Sequence, residues 1–414
     1  MLDYDSQRKR IYDICAHEGD DYVKFHGAMG TPVYQTSLFV DIGADREKAY
    51  HYSRSSNPTF EVAEEKLAQM ENAGGAILTS SGMAAISIAM ISCVKNGGHV
   101  ITLNNVYGGT KSQLTYLERM NIETSYVRGV CIDDFEKAVK PNTQLIYLES
   151  PTTFMFELQD LKEIADFARQ RGIKTMIDNT WATPFFQNPL DFGIDIVVHS
   201  VSKYLGGHSD LIGGAVAASQ DIIDDMRKTE RLNFGCQMDP HQAWMVVRSL
   251  RSFPVRMEKH MENGMKIAEF LNAHPLVAEV KYPGLPGYPQ KDLAEKQMYG
   301  YSSLFSFVTK GTDEQARAFV KNVKIFNRAP SWGGYDSLLT GVGLYRSAAN
   351  REATSKDAAS KAASSGSVAG GNAAGRDAAH RNAVTPGLIR IAVGLESPES
   401  LMEALDDGLK THII

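Results

Sequence analysis

The middle of the chain alternates between short unbroken apolar runs and longer segments whose apolar positions recur every three or four residues. The runs are GAILTS (75–80), HVITL (99–103), TQLIYLES (143–150), KTMIDNT (174–180), DIVVHS (195–200) and GGAVAAS (213–219). Segments such as PTFEVAEEKLAQME and DLKEIADFARQRG fill the gaps with a helical period. Strands that are apolar at every position, rather than at every second one, have both faces covered. Separated by helices, they predict a mostly parallel sheet between helical layers, an α/β architecture. A helical pattern then runs from Pro240 to His274, and Pro254 is expected to kink or divide it. Beyond it, AEVKYPG, SLFSFVT, VKIFN and LIRIAVG read as strands with helices between them, a second and smaller α/β domain. Residues 1–58 read as a lead-in: an amphipathic helix near 5–17, then TPVYQTSLF and YHYSRSSNPT, with Asn57-Pro58 as a turn and a helix starting near Thr59. The predicted division is 1–58, 59–250 and 251–414.

One segment departs from this pattern. Residues 347–383 hold 13 Ala, 6 Ser and 4 Gly among 37, and Val368 is their one large apolar residue. Such a stretch cannot form a core and reads as a surface insertion, with an exposed helix expected over 348–363.

Composition narrows the class. A chain of 414 residues corresponds to about two to three domains and buries roughly three quarters of its unfolded surface. Lys and Arg number 43 against 49 Asp and Glu, a formal charge of -6, which leaves no basic footprint for DNA or RNA. The four cysteines, at 15, 93, 131 and 236, include no close pair, so neither a zinc site nor a disulfide framework is expected. Reduced thiols and a cytoplasmic home follow as the expectation. The start, MLDYDSQRKRIYDIC, has no apolar core of signal-peptide type, and the longest apolar stretch, 84–94, is too short to cross a bilayer.

Candidate chemistry gathers where the apolar runs end. Lys203, in VVHSVSKYLGGHSD, follows one run and precedes a Gly-Gly turn. Most lysines are solvated surface charges, but one at the carboxyl edge of a sheet is placed for Schiff-base chemistry. Asp178 ends another run, 25 residues earlier. It is either a turn or cap residue or the acid that keeps a pyridinium nitrogen protonated, as a pyridoxal phosphate enzyme needs. In LTSSGMAAISIAM (78–90) a strand, a small-residue turn and a helix follow one another. Ser81 is an ordinary N-cap there, or the turn binds phosphate on exposed backbone N–H groups. Tyr107, in NNVYGGT, is a half-buried tyrosine or a ring stacked on a cofactor. Tyr52 and Arg54, in YSRSSNPT, are candidate phosphate ligands. Arg390 interrupts the apolar strand LIRIAVG and requires an anionic partner, which is either a substrate carboxylate or a structural acid.

Taken in order, YSRSSNPT, SSGMAA, YGGT, DNTWA, HSVSKYLGGHSD and IRIAVGLE resemble the Cys/Met-metabolism branch of fold-type I pyridoxal phosphate enzymes. That branch holds cystathionine lyases and synthases, methionine γ-lyase and acylhomoserine sulfhydrylases. The resemblance runs from about Tyr34 to the C-terminus, apart from the Ala/Ser-rich insertion. It implies a fold-type I, aspartate-aminotransferase-like fold, with a large cofactor domain over 59–250 and a smaller C-terminal domain over 251–414. It implies that Lys203 carries pyridoxal 5'-phosphate and that Asp178 holds the pyridinium. Tyr107 stacks and takes part in proton transfer. Ser81, Gly82, Met83, Ser200 and Ser202 line the phosphate, and Tyr52 and Arg54 reach the phosphate of a neighbouring subunit. Ser331 and Arg390 bind the substrate carboxylate. It further implies a homotetramer with active sites shared within each dimer, and an arm (1–58) that contacts the neighbour. No metal, nucleic acid or membrane enters the expected chemistry.

Two departures from the family's pattern stand near the site. Where the family carries S-x-N-P after Glu149, this chain reads Ser150-Pro151-Thr152-Thr153-Phe154, with Thr153 in place of the Asn that contacts the cofactor's phenolic oxygen. Val201 replaces a smaller residue between Ser200 and Ser202.

The resemblance also frames the reaction. Lys203, freed when an amino acid displaces it, takes the Cα proton as a neutral amine. APSWGGYDSLL (329–339) is similar to the cystathionine β-lyase pattern, and DNTWA and LDFGID agree with it. Pro330 stands where γ-acting cystathionine enzymes carry Glu, and Gly109 where methionine γ-lyase carries Cys. SSGMAA and YQTSLF are more similar to γ-lyases and synthases. The reading is a C–S lyase acting on a sulfur-containing amino acid such as cystathionine, by β-elimination to a thiol, pyruvate and ammonia. The alternative is a γ-elimination or γ-replacement enzyme, and a remote one is an inactive scaffold.

Overall fold

The computed structural model describes residues 2–43, 50–341 and 386–413. The Ala/Ser-rich insertion and its expected helix lie outside the described residues. The chain forms two compact units: Met1–Glu262 with Pro283–Ser303 and Gly333–Tyr335, and Asn263–Tyr282 with Leu304–Trp332 and Asp336–Ile414.

The first unit is built on a seven-stranded sheet of β1 (Gly75–Thr79), β2 (His99–Leu103), β3 (Glu123–Val127), β4 (Thr143–Glu149), β5 (Lys174–Asp178), β6 (Ile196–Ser200) and β7 (Gly214–Ala218). The spatial order is β1-β7-β6-β5-β4-β2-β3. β3, β2, β4, β5 and β6 are parallel, and β7 runs antiparallel to both of its neighbours. β1, β2 and β7 are buried along their whole length, which is why they read as unbroken apolar runs. β3, ETSYV, is half-exposed at the sheet edge and carries no such signal; it is a strand that the hydrophobic pattern misses.

Helices start where the sequence offers caps. The Asn57 side chain accepts from the Thr59 amide at 2.9 Å, with Pro58 at the first helical position of Pro58–Met70. Caps of this kind contribute about 1 kcal/mol each. The expected lead-in helix is Tyr4–His17, capped by Asp3 and anchored to the unit by Gln7, whose amide donates to the Pro184 carbonyl at 2.6 Å and to Asn188 at 2.8 Å. Ile11 and Cys15 are buried behind it. Pro254 divides the long helical pattern: one helix ends at Leu250 and the next runs Phe253–Ala273, with Pro254 at its second position, where a missing N–H costs nothing.

The second unit carries a five-stranded sheet of β8 (Val277–Lys281), β9 (Leu304–Thr309), β10 (Asn327–Arg328), β11 (Leu338–Gly341) and β12 (Leu388–Ala392), ordered β10-β11-β12-β9-β8. All pairings are antiparallel except β10 with β11. Two details correct the pattern-based reading. VKIFN supplies a strand only from Asn327, because Val323 is the C-cap of the helix Asp313–Asn322. The short strand β11 was not marked by any apolar run long enough to notice.

Candidate active site

Glu149, Asp178 and Ser200 are the last residues of three adjacent parallel strands. Polar side chains emerge there because the carboxyl edge of a parallel sheet opens onto its connecting loops. The helix Gly82–Cys93 begins beside Ser200. Its N-cap, Ser81, accepts from the Ala84 amide at 3.1 Å. A Cβ on Gly82 would sit 2.9 Å from the Ser200 Cβ and 3.0 Å from its Oγ, so only glycine lets the helix start press against the end of β6. Backbone N–H groups at a helix start, next to hydroxyls, suit a phosphate.

Asp178 is half-buried and accepts from the Thr180 amide at 2.9 Å and from the Thr180 hydroxyl. Thr180 in turn bonds the Ser200 amide with its Oγ1 at 2.8 Å, which locks β5 to β6 at their ends. Burial pushes the Asp178 carboxyl up, while the Thr180 donors, His199 and Lys203 favour its charged form. Behind it, His199 Nε2 lies 2.6 Å from Glu71, which also accepts from Asn179 at 3.0 Å.

Glu149 is buried and directly opposite Asp178 in the β4–β5 register. One of its oxygens accepts the Tyr107 amide at 2.8 Å and the other the Thr153 hydroxyl at 2.9 Å. Burial first, then Asp178, raises its carboxyl to about 8. The loop that delivers Thr153 is strained. Phe154 has φ +65 and Phe156 φ +55, left-handed values for bulky residues that cost on the order of 1–3 kcal/mol each. Tyr107 is the N-cap of the helix Gly108–Leu117, with its ring half exposed. A Cβ on Gly109 would fall 2.6 Å from the Met83 sulfur and 2.4 Å from the Tyr107 ring, so glycine lets the two side chains close in.

Lys203 sits in a tight turn. Its amide bonds the Ser200 carbonyl at 3.1 Å, and its own carbonyl accepts from Gly207 at 2.7 Å. The buried Arg256 guanidinium caps this turn, bonding the Tyr204 carbonyl at 2.7 Å, and a Cβ on Gly207 would strike it. Gly333, at φ +81, closes the other side: a Cβ there would lie 2.7 Å from the Tyr204 nitrogen and 3.2 Å from the Lys203 Cα.

The structure therefore brings Ser81, Gly82, Met83, Tyr107, Asp178, Ser200 and Lys203 to one end of the first sheet. Ser202 is close by in the chain, but its hydroxyl is engaged with the Gly213 main chain, accepting from the amide at 3.0 Å. Tyr52 and Arg54 are exposed, the guanidinium 5.5 Å over the Tyr52 ring. Ser331 and Arg390 belong to the second unit, Ser331 half-buried and Arg390 buried in mid-strand. The residues that pattern reading passed over are Thr180, Arg256 and Gly333, together with the bonding role of Glu149. Glu149 carried the same signal as Asp178, an acid closing an apolar run. The packing of Arg256 and Gly333 on the lysine turn left no local mark.

A family model for Cys/Met metabolism PLP-dependent enzymes matches residues 13–362. The chain belongs to that family. It is 36% identical to the cystathionine gamma-lyase of Bacillus subtilis, over 93% of this chain and 95% of the relative. It is 34% identical to the cystathionine beta-lyase of Lactococcus lactis subsp. lactis, over 95% and 97%. Among solved structures, a cystathionine gamma synthase from Xanthomonas oryzae pv. oryzae, in complex with aminoacrylate and cysteine, superposes with a TM-score of 0.85 at 30% identity, covering 97% of each chain. The fold is fold-type I, and the cofactor of this PLP-dependent enzyme is pyridoxal 5'-phosphate. The residues present fit it: a helix start pressed by glycine against Ser200 for the phosphate, an acid ending β5 for the ring nitrogen, and a lysine one turn past β6.

Proposed function

We propose that this enzyme is a carbon–sulfur lyase acting on a sulfur-containing amino acid such as cystathionine, by β-elimination to a thiol, pyruvate and ammonia. The observation that carries it is the placement of Asp178 at the end of β5 and of Lys203 one turn beyond the neighbouring β6, within one family whose relatives include a cystathionine beta-lyase. When bound, pyridoxal phosphate supplies an electron sink for charge developing at the substrate Cα. Asp178 would hold the ring nitrogen in its protonated form, and Tyr107 would pack on the ring. Lys203 would hold the cofactor through its amine, and that amine would take the Cα proton. Arg390 and Ser331 hold the substrate carboxylate, since a bidentate guanidinium fixes its orientation.

Pro330, in place of an acid before Ser331, favours the β-reaction. γ-Elimination is the second reading, and the likeness to a cystathionine gamma-lyase supports it. A keto-acid assay on cystathionine separates them: pyruvate reports β-cleavage, 2-oxobutyrate γ-cleavage, and neither product a different donor or a replacement reaction.

The working unit in this proposal is a homotetramer in which Tyr52 and Arg54 complete the phosphate site of a neighbour. Both residues are exposed, and Val23, Met29, Val40 and Ile42 are 76–88% exposed on the same arm. Apolar side chains left exposed along that arm support a covering partner subunit. Light scattering of the holoenzyme tests it. No helix among the described residues is long and apolar enough to cross a membrane, and Cys15, Cys93, Cys131 and Cys236 are free thiols, which supports a cytoplasmic setting.

A further inference from the structure

Glu149 has no part in the chemistry set out above, yet it touches two parts of the site. It faces Asp178 across the β4–β5 register, and adjacent strands lie about 4.8 Å apart. A buried carboxyl opposite a second carboxylate is pushed toward its neutral form, and Asp178 acts on Glu149 in that direction. Asp178 keeps its charge more readily. It accepts twice from Thr180, and His199 and Lys203 favour its anion. Glu149 is buried, and burial outweighs the Tyr107 and Thr153 donors and Lys111 on the helix Gly108–Leu117, which favour its anion. Tyr147, two residues earlier on the same strand, also hydrogen-bonds this carboxyl, and that bond holds its phenol proton more tightly. The strained turn through Phe154 and Phe156 holds the Thr153 hydroxyl on one oxygen, while the other receives the Tyr107 amide.

We propose that Glu149 is a positioning residue: as a neutral carboxylic acid it ties the Tyr107 main chain and the Thr153 turn to the end of β4, so that Tyr107 is fixed over the site and Asp178 is the single negative charge facing the ring nitrogen. The proposal rests on the pyridoxal phosphate reading of the site. It adds a group that pattern reading named only as the end of a strand.

Infrared difference spectroscopy of wild type against Glu149→Gln, with the absorption band of the bound cofactor followed from pH 6 to 10, tests it. At pH 7 the wild type shows a protonated-carboxyl band that Glu149→Gln lacks, and the band disappears as pH rises past about 8. The cofactor absorption of the wild type shifts over the same range, and that shift is missing in Glu149→Gln. Glu149→Ala, which frees Tyr107, lowers kcat by roughly tenfold more than Glu149→Gln does, with KM little changed. The absence of a carboxyl difference at pH 7, or identical cofactor titrations in two yellow proteins, overturns the proposal. If Glu149→Ala does not fold, the Gln variant still decides. A preparation that takes up no pyridoxal phosphate would sink the reading of the site instead, and the infrared band of that cofactor-free protein still reports whether Glu149 is neutral.

Discussion

The two sheets of this enzyme carry their charges in opposite places. In the seven-stranded sheet, Glu149 and Asp178 close β4 and β5, and no charged residue lies inside either strand beyond Lys174 at the start of β5. In the five-stranded sheet, Arg390 is the central residue of β12. Parallel strands covered on both faces give a mid-strand ion nowhere to go, so charge in β4 and β5 is confined to the strand ends. The smaller sheet accommodates its arginine differently. Arg390 lies between Thr340 of β11 and Ser306 of β9, and Ser306 is opposite Lys281 of β8. A polar row crosses the sheet at that level. One sheet exports its charges to a crevice, and the other builds a polar lane for them.

Three substitutions probe that difference. Lys203→Ala removes the proposed covalent anchor and proton carrier at the edge of the first sheet. It is expected to lower kcat by roughly 10³-fold or more in a keto-acid release assay. A rate near wild type would remove Lys203 from the chemistry. Arg390→Ala empties the polar lane of the second sheet. KM for amino-acid substrates should rise by about 10²-fold, because charge-assisted bonds to a carboxylate are worth about 1.5–3 kcal/mol each. An unchanged KM would return Arg390 to a purely structural role. Gly82→Ala places a Cβ 2.9 Å from that of Ser200, and overpacking of this kind costs about 1–3 kcal/mol. Cofactor affinity, read by equilibrium dialysis, should fall by roughly tenfold while the fold persists. Retention of full affinity would show that the helix start can shift without loss.

The smallest effect concerns pH. The Glu149 carboxyl titrates higher in the folded protein, about 8, than its ordinary 4.5, through burial and Asp178. Between those values the native state holds a proton that the unfolded chain has released, so stability falls as pH rises across that window. Urea midpoints should decline from about pH 5 to about pH 8 more steeply in wild type than in Glu149→Gln. Parallel declines would assign the slope to other groups.

How much of this was legible beforehand follows from the same contrast. β1, β2 and β4 to β7 announce themselves as apolar runs because helices cover them, and Asp178 and Lys203 stand out by ending or following such runs. β3 stays hidden since an exposed edge strand needs no apolar run, and β11 since four residues are too few. VKIFN carries the apolar, β-branched residues of a strand, yet the preceding helix claims its start. Site residues that act on one another across the sheet were out of reach. The pairing of Glu149 with Asp178 depends on the β4–β5 register, and the closure on Lys203 depends on Gly333, 130 positions later in the chain. Short polar motifs mark where a site lies; register and packing decide which groups in it touch.

Lys203, one turn beyond β6, is the residue proposed to bear the cofactor. Borohydride reduction of the yellow holoenzyme, followed by proteolysis and mass spectrometry, tests it most directly. A single pyridoxyl-phosphate adduct on the peptide containing Lys203 is the expected result. An adduct on any other lysine, or a yellow protein that borohydride leaves unlabelled, would contradict it.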